Sequence, residues 1–264
     1  MPITNPTDIS NLQQWLQARD LTTLFQNVAG TTPVTTSGEV VGTWNDKSGT
    51  SFNMTAQADD TTRPTFTESA GVQWVDGDGT NDLLVRAAAP FFAAGAASFF
   101  FAMRASATNA SGDSVLSECN SGDNAPLYLP LRAFSTVTDA AGFIRNGANT
   151  ELINSVLDAT NVFDGADHVI GVVDTGSLLT LWFDGVEKTG VAYTRSGTLT
   201  ANRFSLFGVA RGTPNLWFAT RIYESACYTK ALDDTEAGDL STYLTGAFVA
   251  AATASKSTTM MMGV

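Results

Sequence analysis

Gly71-Val-Gln-Trp-Val-Asp-Gly-Asp-Gly-Thr-Asn-Asp-Leu-Leu-Val85 decides how the rest of the chain is read. Val72 and Trp74 mark an apolar strand, and Leu83, Leu84 and Val85 mark a second one. Between them lies a cluster of Asp, Gly and Asn. Gly77 and Gly79 offer the positive φ that a reversal needs, and the Asp and Asn side chains can bond to the turn's own backbone. The stretch is expected to be a hairpin, and the other apolar runs to be strands stacked above or beside it.

Outward from it, residues 98–104 (Ser-Phe-Phe-Phe-Ala-Met-Arg) form a wholly apolar strand. Phe99, Phe101 and Met103 share one face, and Phe100 and Ala102 the other. Both faces need cover, which puts this strand at the centre of a layered structure. Shorter strands are expected at 40–44, 114–119, 127–133, 204–209 and 216–223, and Asn146-Gly147 after residues 142–145 signals a tight hairpin. Residues 168–173 and 178–183 form a further strand pair, and Asp184-Gly185 is the strongest two-residue turn signal in the chain. Within residues 8–28, Leu12, Trp15, Leu16 and Arg19 have helical spacing while residues 15–18 fit a short edge strand equally, and Asp20 caps one turn that packs Leu21, Leu24 and Phe25 inward. One helix is expected near the C-terminus, with Asp233 and Glu236 as a capping box and Gly246 as its stop. The fold class is therefore all-β: a two-sheet antiparallel sandwich with one short C-terminal helix. One domain is expected over residues 1–246, followed by an aperiodic C-terminal arm, 247–264, suited to docking on a neighbouring subunit.

Composition narrows the function. The 264 residues are 44% hydrophobic, with 16 Phe, enough for a core without staples. Asp and Glu outnumber Lys and Arg by 26 to 14, a net charge of −12 that argues against nucleic acid as a partner. The longest apolar runs, such as 87–97, are interrupted by Pro90 and Gly95 and are too short for a bilayer, so no membrane partner is expected. The first residues show neither a basic flank nor an apolar run, so the chain is expected to be made soluble inside a cell. Cys119 and Cys227 have no metal-ligand spacing and are expected to be buried thiols.

Several residue groups bear on chemistry. The seven glutamates (39, 68, 118, 151, 187, 224 and 236) include no two within ten positions, so no strand carries the paired acids of a retaining glycosidase. The single histidine, His168, is expected at a strand edge, bonded to nearby backbone. Asp76, Asp78, Asn81 and Asp82 are oxygen ligands of the kind Ca²⁺ takes, but turn chemistry accounts for them without a metal. Trp44, Trp74, Trp182 and Trp217 have faces on which a sugar can stack, although strand tryptophans are more often core. No catalytic, cofactor-binding or metal-binding residue is assigned, and no cofactor is expected.

Residues 15–25, 41–49 (Val-Gly-Thr-Trp-Asn-Asp-Lys-Ser-Gly), 63–66, 74–84, 181–186 and 222–232, in that order, give the chain its resemblance to a known group. It resembles the laminin G-like, concanavalin A-like lectin/glucanase jelly rolls found in bacteriophage structural proteins. The resemblance implies a jelly-roll sandwich and a non-enzymatic virion protein, a capsid decoration or tail component assembled in the host cytoplasm. It also implies other virion proteins as partners and self-association as a homo-oligomer. A carbohydrate-binding, receptor-recognition module is the alternative, and a glycosidase the third possibility.

Overall fold

The computed structural model describes residues 2–56, 60–122, 125–134, 138–197 and 200–249. Four short strands come first: β1 (Leu12–Gln17), β2 (Leu24–Phe25), β3 (Thr43–Trp44) and β4 (Met54–Ala56). β5 (Thr65–Ser69) and β6 (Val72–Asp78) follow as a hairpin, then β7 (Leu84–Arg86), the short helix α1 (Pro90–Ala94) and β8 (Ala97–Ala105). β9 (Leu116–Cys119), β10 (Leu127–Ala133), β11 (Ala140–Arg145) and β12 (Glu151–Asp158) form a meander. β13 (His168–Asp174) and β14 (Leu178–Phe183) pair next, trailed by β15 (Val186–Glu187) and β16 (Val191–Ala192). β17 (Arg203–Leu206), β18 (Ala219–Tyr228) and the helix α2 (Asp234–Thr245) complete the order.

These strands make two antiparallel sheets, each of nine strands among the described residues. The first runs β15-β14-β13-β8-β18-β6-β5, with β1 added to β18 and β16 to β14. The second runs β12-β11-β10-β9-β17-β7-β4-β3-β2. Packed face to face, they form the expected sandwich. One edge of β18 pairs with β8 from Thr220 to Tyr228. Its other edge is shared end to end, by β6 up to Ile222 and by β1 from Glu224 onward.

Residues 71–85 do not close as a hairpin. β6 pairs with β5 and β18 in the first sheet, and β7 with β4 and β17 in the second. The tight turn lies earlier, at Ala70-Gly71, where φ is 52° and 78°. The Asp/Asn cluster instead shapes a corner that carries the chain between sheets. Asp78 Oδ1 accepts the N–H groups of Thr80 and Asn81, and Asp82 Oδ2 accepts that of Asp78. Gly77 sits within β6, where a Cβ would stand 2.3 Å from the Phe207 ring, so close approach rather than positive φ requires glycine there. Gly79, at φ 73°, is the residue in the left-handed region.

β8 lies at the centre of its sheet, as its two apolar faces require. Phe99, Phe101 and Met103 face the second sheet, and Phe100 and Ala102 lie under α2 with Leu240 and Leu244, all fully buried. The α2 N-terminus carries its capping box in both directions, Asp233 to the Glu236 N–H and Glu236 to the Asp233 N–H. Past Gly246 the chain keeps packing: Ala247 is buried, and the Phe248 ring meets Tyr223 at 5.8 Å. The remainder of the expected arm, residues 250–264, lies outside the described residues.

Smaller expectations resolve in the same way. Residues 12–17 are a strand, and the strand expected over 40–44 shortens to Thr43–Trp44. Asp184-Gly185 makes the two-residue turn, both with positive φ, beneath the Phe183–Val186 pair. After β11 the reversal is longer than two residues, because Asn146 Oδ1 takes the N–H groups of Ala148 and Thr150. Phe183 is only half-buried, its ring tilted against His168 at the hairpin's end with Lys188 above it. Both cysteines are free and buried, and burial pushes the Cys119 thiol up to about 11.

Candidate functional site

Strand alternation decides which side chains leave the outer face of the first sheet. On β8 these are Phe100, Ala102 and Arg104, facing Ala226, Glu224 and Arg221 of β18. The ladder slips between Ile222 and Glu224, a bulge that turns Tyr223 and Glu224 to the same side. On β6 the outward residues are Val72, Trp74 and Asp76, with Asp76 opposite Arg221. α2 covers the Phe100 end of this face. The uncovered end is a trough of two adjoining hollows, about 360 and 220 Å³, both lined by Arg104 and Arg221.

Half of the trough is locked. Arg104 and Asp167 meet fork to fork, Nε to Oδ1 at 2.8 Å and Nη2 to Oδ2 at 2.5 Å, and the Tyr223 hydroxyl donates to Asp167 Oδ1 at 2.5 Å. Burial opposes the charge on Asp167, but these donors outweigh it and hold its carboxyl below the usual range. Burial and the same carboxylate push the Tyr223 phenol well up.

The other half is open. The Arg221 guanidinium lies 4.7 Å from the Trp74 ring centroid, and its Nε stands 3.9 Å from Asp76 Oδ2, too far for a hydrogen bond. Trp74 packs edge-on against Tyr223 with centroids 6.0 Å apart. Its buried indole N–H pulls weakly on Asp76 without completing a hydrogen bond of normal geometry. Burial raises the Asp76 pKa, Arg221 draws it back and Asp78 adds to the rise. An anionic acceptor and a planar set of donors thus stand side by side, each with capacity to spare, over an aromatic floor. A hydroxyl group, which both donates and accepts, can use both.

The other sequence candidates are dispersed. Trp44 is buried between the sheets, Trp182 lies under α2, and Trp217 is half-buried on the outer face of the second sheet. Trp74 alone of the four floors the trough, 6% exposed beneath Arg221. Asp78, Asn81 and Asp82 serve the corner, and no group of three or more His, Cys, Asp or Glu fit to hold a metal occurs among the described residues. Burial, with Asp78 and Asp76 nearby, pushes Asp82 up to about 6.

Glu118 and Glu224 are both fully buried, on different sheets. Glu118 faces the interior and accepts the Phe91 and Phe92 N–H groups, and burial pushes it up to about 8. Glu224 faces outward, where Trp15, Gln17 and Tyr243 donate to its Oε1. The expected backbone partner of His168 is replaced by two carboxylates, Asp184 at 2.7 Å and Asp164 at 3.1 Å. Arg104, Asp167, Arg221 and Tyr223 escaped sequence reading. The available signal was a charged residue, Arg104, closing an otherwise apolar strand face.

No family model and no curated protein matches the chain. Solved structures do. The binding domain of Paraclostridial Mosquitocidal Protein 1 superposes with a TM-score of 0.57 at 12% identity, over 90% of this chain and 52% of that one. The botulinum neurotoxin type G receptor-binding domain gives 0.56 at 11%, over 88% and 51%. A structure of botulinum neurotoxin type C, described as entering cells through two ganglioside molecules, gives 0.55 at 13%, over 91% and 52%. The chain spans about half the length of each. At this identity the likeness concerns the fold: the chain is a jelly-roll sandwich of the kind found in these binding domains.

Proposed function

We propose that this protein is a non-enzymatic recognition module that binds the hydroxyl groups of a glycan in the trough beside α2. The carrying observation is the open Asp76–Arg221 pair on its Trp74–Tyr223 floor, braced by the locked Arg104–Asp167 pair. Rigid neighbours keep the loss of side-chain freedom on binding small. The structural neighbours add support: botulinum neurotoxin type C, whose cell entry depends on two ganglioside molecules, and the binding domain of botulinum neurotoxin DC in complex with SialylT. Titration with a panel of neutral oligosaccharides tests the reading. Arg221→Ala and Asp76→Asn should each weaken the best binder by about tenfold, the size of one charge-assisted hydrogen bond. Binding that survives both substitutions would move the site elsewhere.

The setting we propose is a bacteriophage virion, as capsid decoration or tail component, supported by the ordered motifs from residues 15 to 232. Self-association through the segment beyond residue 247 belongs to the same proposal. Recovery of the protein on purified particles, lost on deletion of residues 250–264, is the expected result; a deletion variant that assembles normally would remove the arm from it.

A further inference from the structure

The outer face of the second sheet holds a groove of about 370 Å³ lined by Arg203 and Arg211 and, among the described residues, by no acidic one. Acids outnumber bases by 26 to 14 in this chain, and Lys47 meets Asp20, Arg104 meets Asp167, Lys188 meets Asp158 and Lys230 meets Glu236, yet neither arginine of the groove meets a carboxylate among the described residues. Arg203 instead donates to the Ala210 carbonyl at 3.0 Å. Arg211 has no hydrogen bond or ion pair among the described residues.

Register places a third guanidinium close by. Arg203, Cys119, Leu127 and Arg145 lie in one row across β17, β9, β10 and β11, on the outward side. Arg211 comes over this row from the loop that follows β17; burial first and then the like charge of Arg211 depress the ionisation of Arg145, and its cross-strand neighbour Glu151 opposes them. Arg203 and Arg211 therefore bring two positive charges to one groove with no carboxylate beside them among the described residues, a repulsion that a bound anion would relieve.

The remaining walls narrow the anion's chemistry. Val85, Ala56, Ala87 and Pro214 are apolar, and Thr55 contributes a hydroxyl. A bare inorganic ion would leave most of such a groove to water. A pyranose ring bearing a carboxylate offers an apolar face to the walls, hydroxyls to Thr55 and a planar anion to two forked guanidiniums. We infer that this groove is a binding site for a carboxylated sugar, on the opposite side of the sandwich from the trough and independent of it.

Calorimetric titration of the full chain with tri-galacturonic acid, its methyl ester and inorganic phosphate tests this. The acid should bind in the groove, the ester at least about tenfold more weakly there, and phosphate more weakly than the acid. Arg211→Ala removes a side chain without partners, so the variant should fold and lose about tenfold in affinity. Arg211→Lys keeps the charge but not the fork and should recover only part of it. Glu187→Gln, on the exposed β15 of the other sheet and outside both sites, should leave the affinity for the acid unchanged. Three results would each overturn the inference: no binding of the acid at millimolar concentration, equal binding of acid and ester, or indifference to Arg211→Ala. Phosphate binding as tightly as the acid would reduce the groove to a simple anion site and overturn the sugar assignment.

Discussion

The two outer faces of the sandwich solve the same problem differently. The first sheet buries half of its outer face under α2, and in the other half it answers most charges with opposite ones: Arg104 with Asp167, and Arg221, at longer range, with Asp76. Among the described residues, the second sheet has no helix over its outer face. Loop residues such as Val209, Leu216 and Trp217 cover Leu83, Leu127 and Leu129, and Arg203 and Arg211 beside them meet no carboxylate among the described residues. Cover by a helix belongs to the stability of the molecule, and paired charge makes a rigid surface. Unpaired charge contributes nothing to holding the fold and is free for a ligand.

That contrast can be broken by measurement. The largest effect should come from the helix-covered half, where Leu240→Ala is expected to cost about 2–5 kcal/mol in denaturant unfolding. A loss below about 1 kcal/mol would mean that α2 does not seal the sheet. Next comes the acidic corner at the end of β6. The Asp82 carboxyl titrates near 3.8 when unfolded and at about 6 when folded, so the folded state holds its proton more tightly. Stability from this group is full below about pH 4 and is lost as pH rises to about 6, by at most about 3 kcal/mol. Asp82→Asn keeps an acceptor for the Asp78 N–H, so its melting temperature should match the wild type at pH 4 and exceed it at pH 7. Identical pH profiles would contradict the burial of that charge.

Arg104→Ala should cost about 1–2 kcal/mol, because it leaves Asp167 with only the Tyr223 hydroxyl. Arg211→Ala should stay within about 0.5 kcal/mol of the wild type. If these two variants proved equally destabilising, the distinction between paired and unpaired faces would fail.

Features decided by near neighbours in sequence were readable. The two apolar faces of β8, the Asp184-Gly185 turn and the Asp233/Glu236 capping box each follow from residues a few positions apart. Residues 71–85 show where such reading stops. A cluster of Asp and Gly announces a reversal, but whether its flanking strands pair or part into separate sheets depends on their partners. For β6 the second partner is β18, some 140 residues away. The trough has the same origin. Arg104 and Asp167 are 63 positions apart, and Arg221 reaches Trp74 across 147. Only the completed sheet brings them together, and the bulge that turns Tyr223 outward leaves no mark in composition. The Arg203–Arg211 groove was hidden for a further reason: a scattered count of bases does not show which of them lack acids.

The shared edge of β18 has a consequence for the order of events during synthesis. β1, β6 and β8 are complete by residue 105, yet the strand that joins all three begins at residue 219. Until it emerges from the ribosome, β1 has no partner at all, and β6 and β8 each present an open ladder of N–H and C=O groups. Closing contacts over such separations is slow, and unpaired edges invite association with other chains. The nascent protein should therefore depend on chaperone protection for most of its translation and lock into its first sheet late, when one ten-residue strand fills the gap.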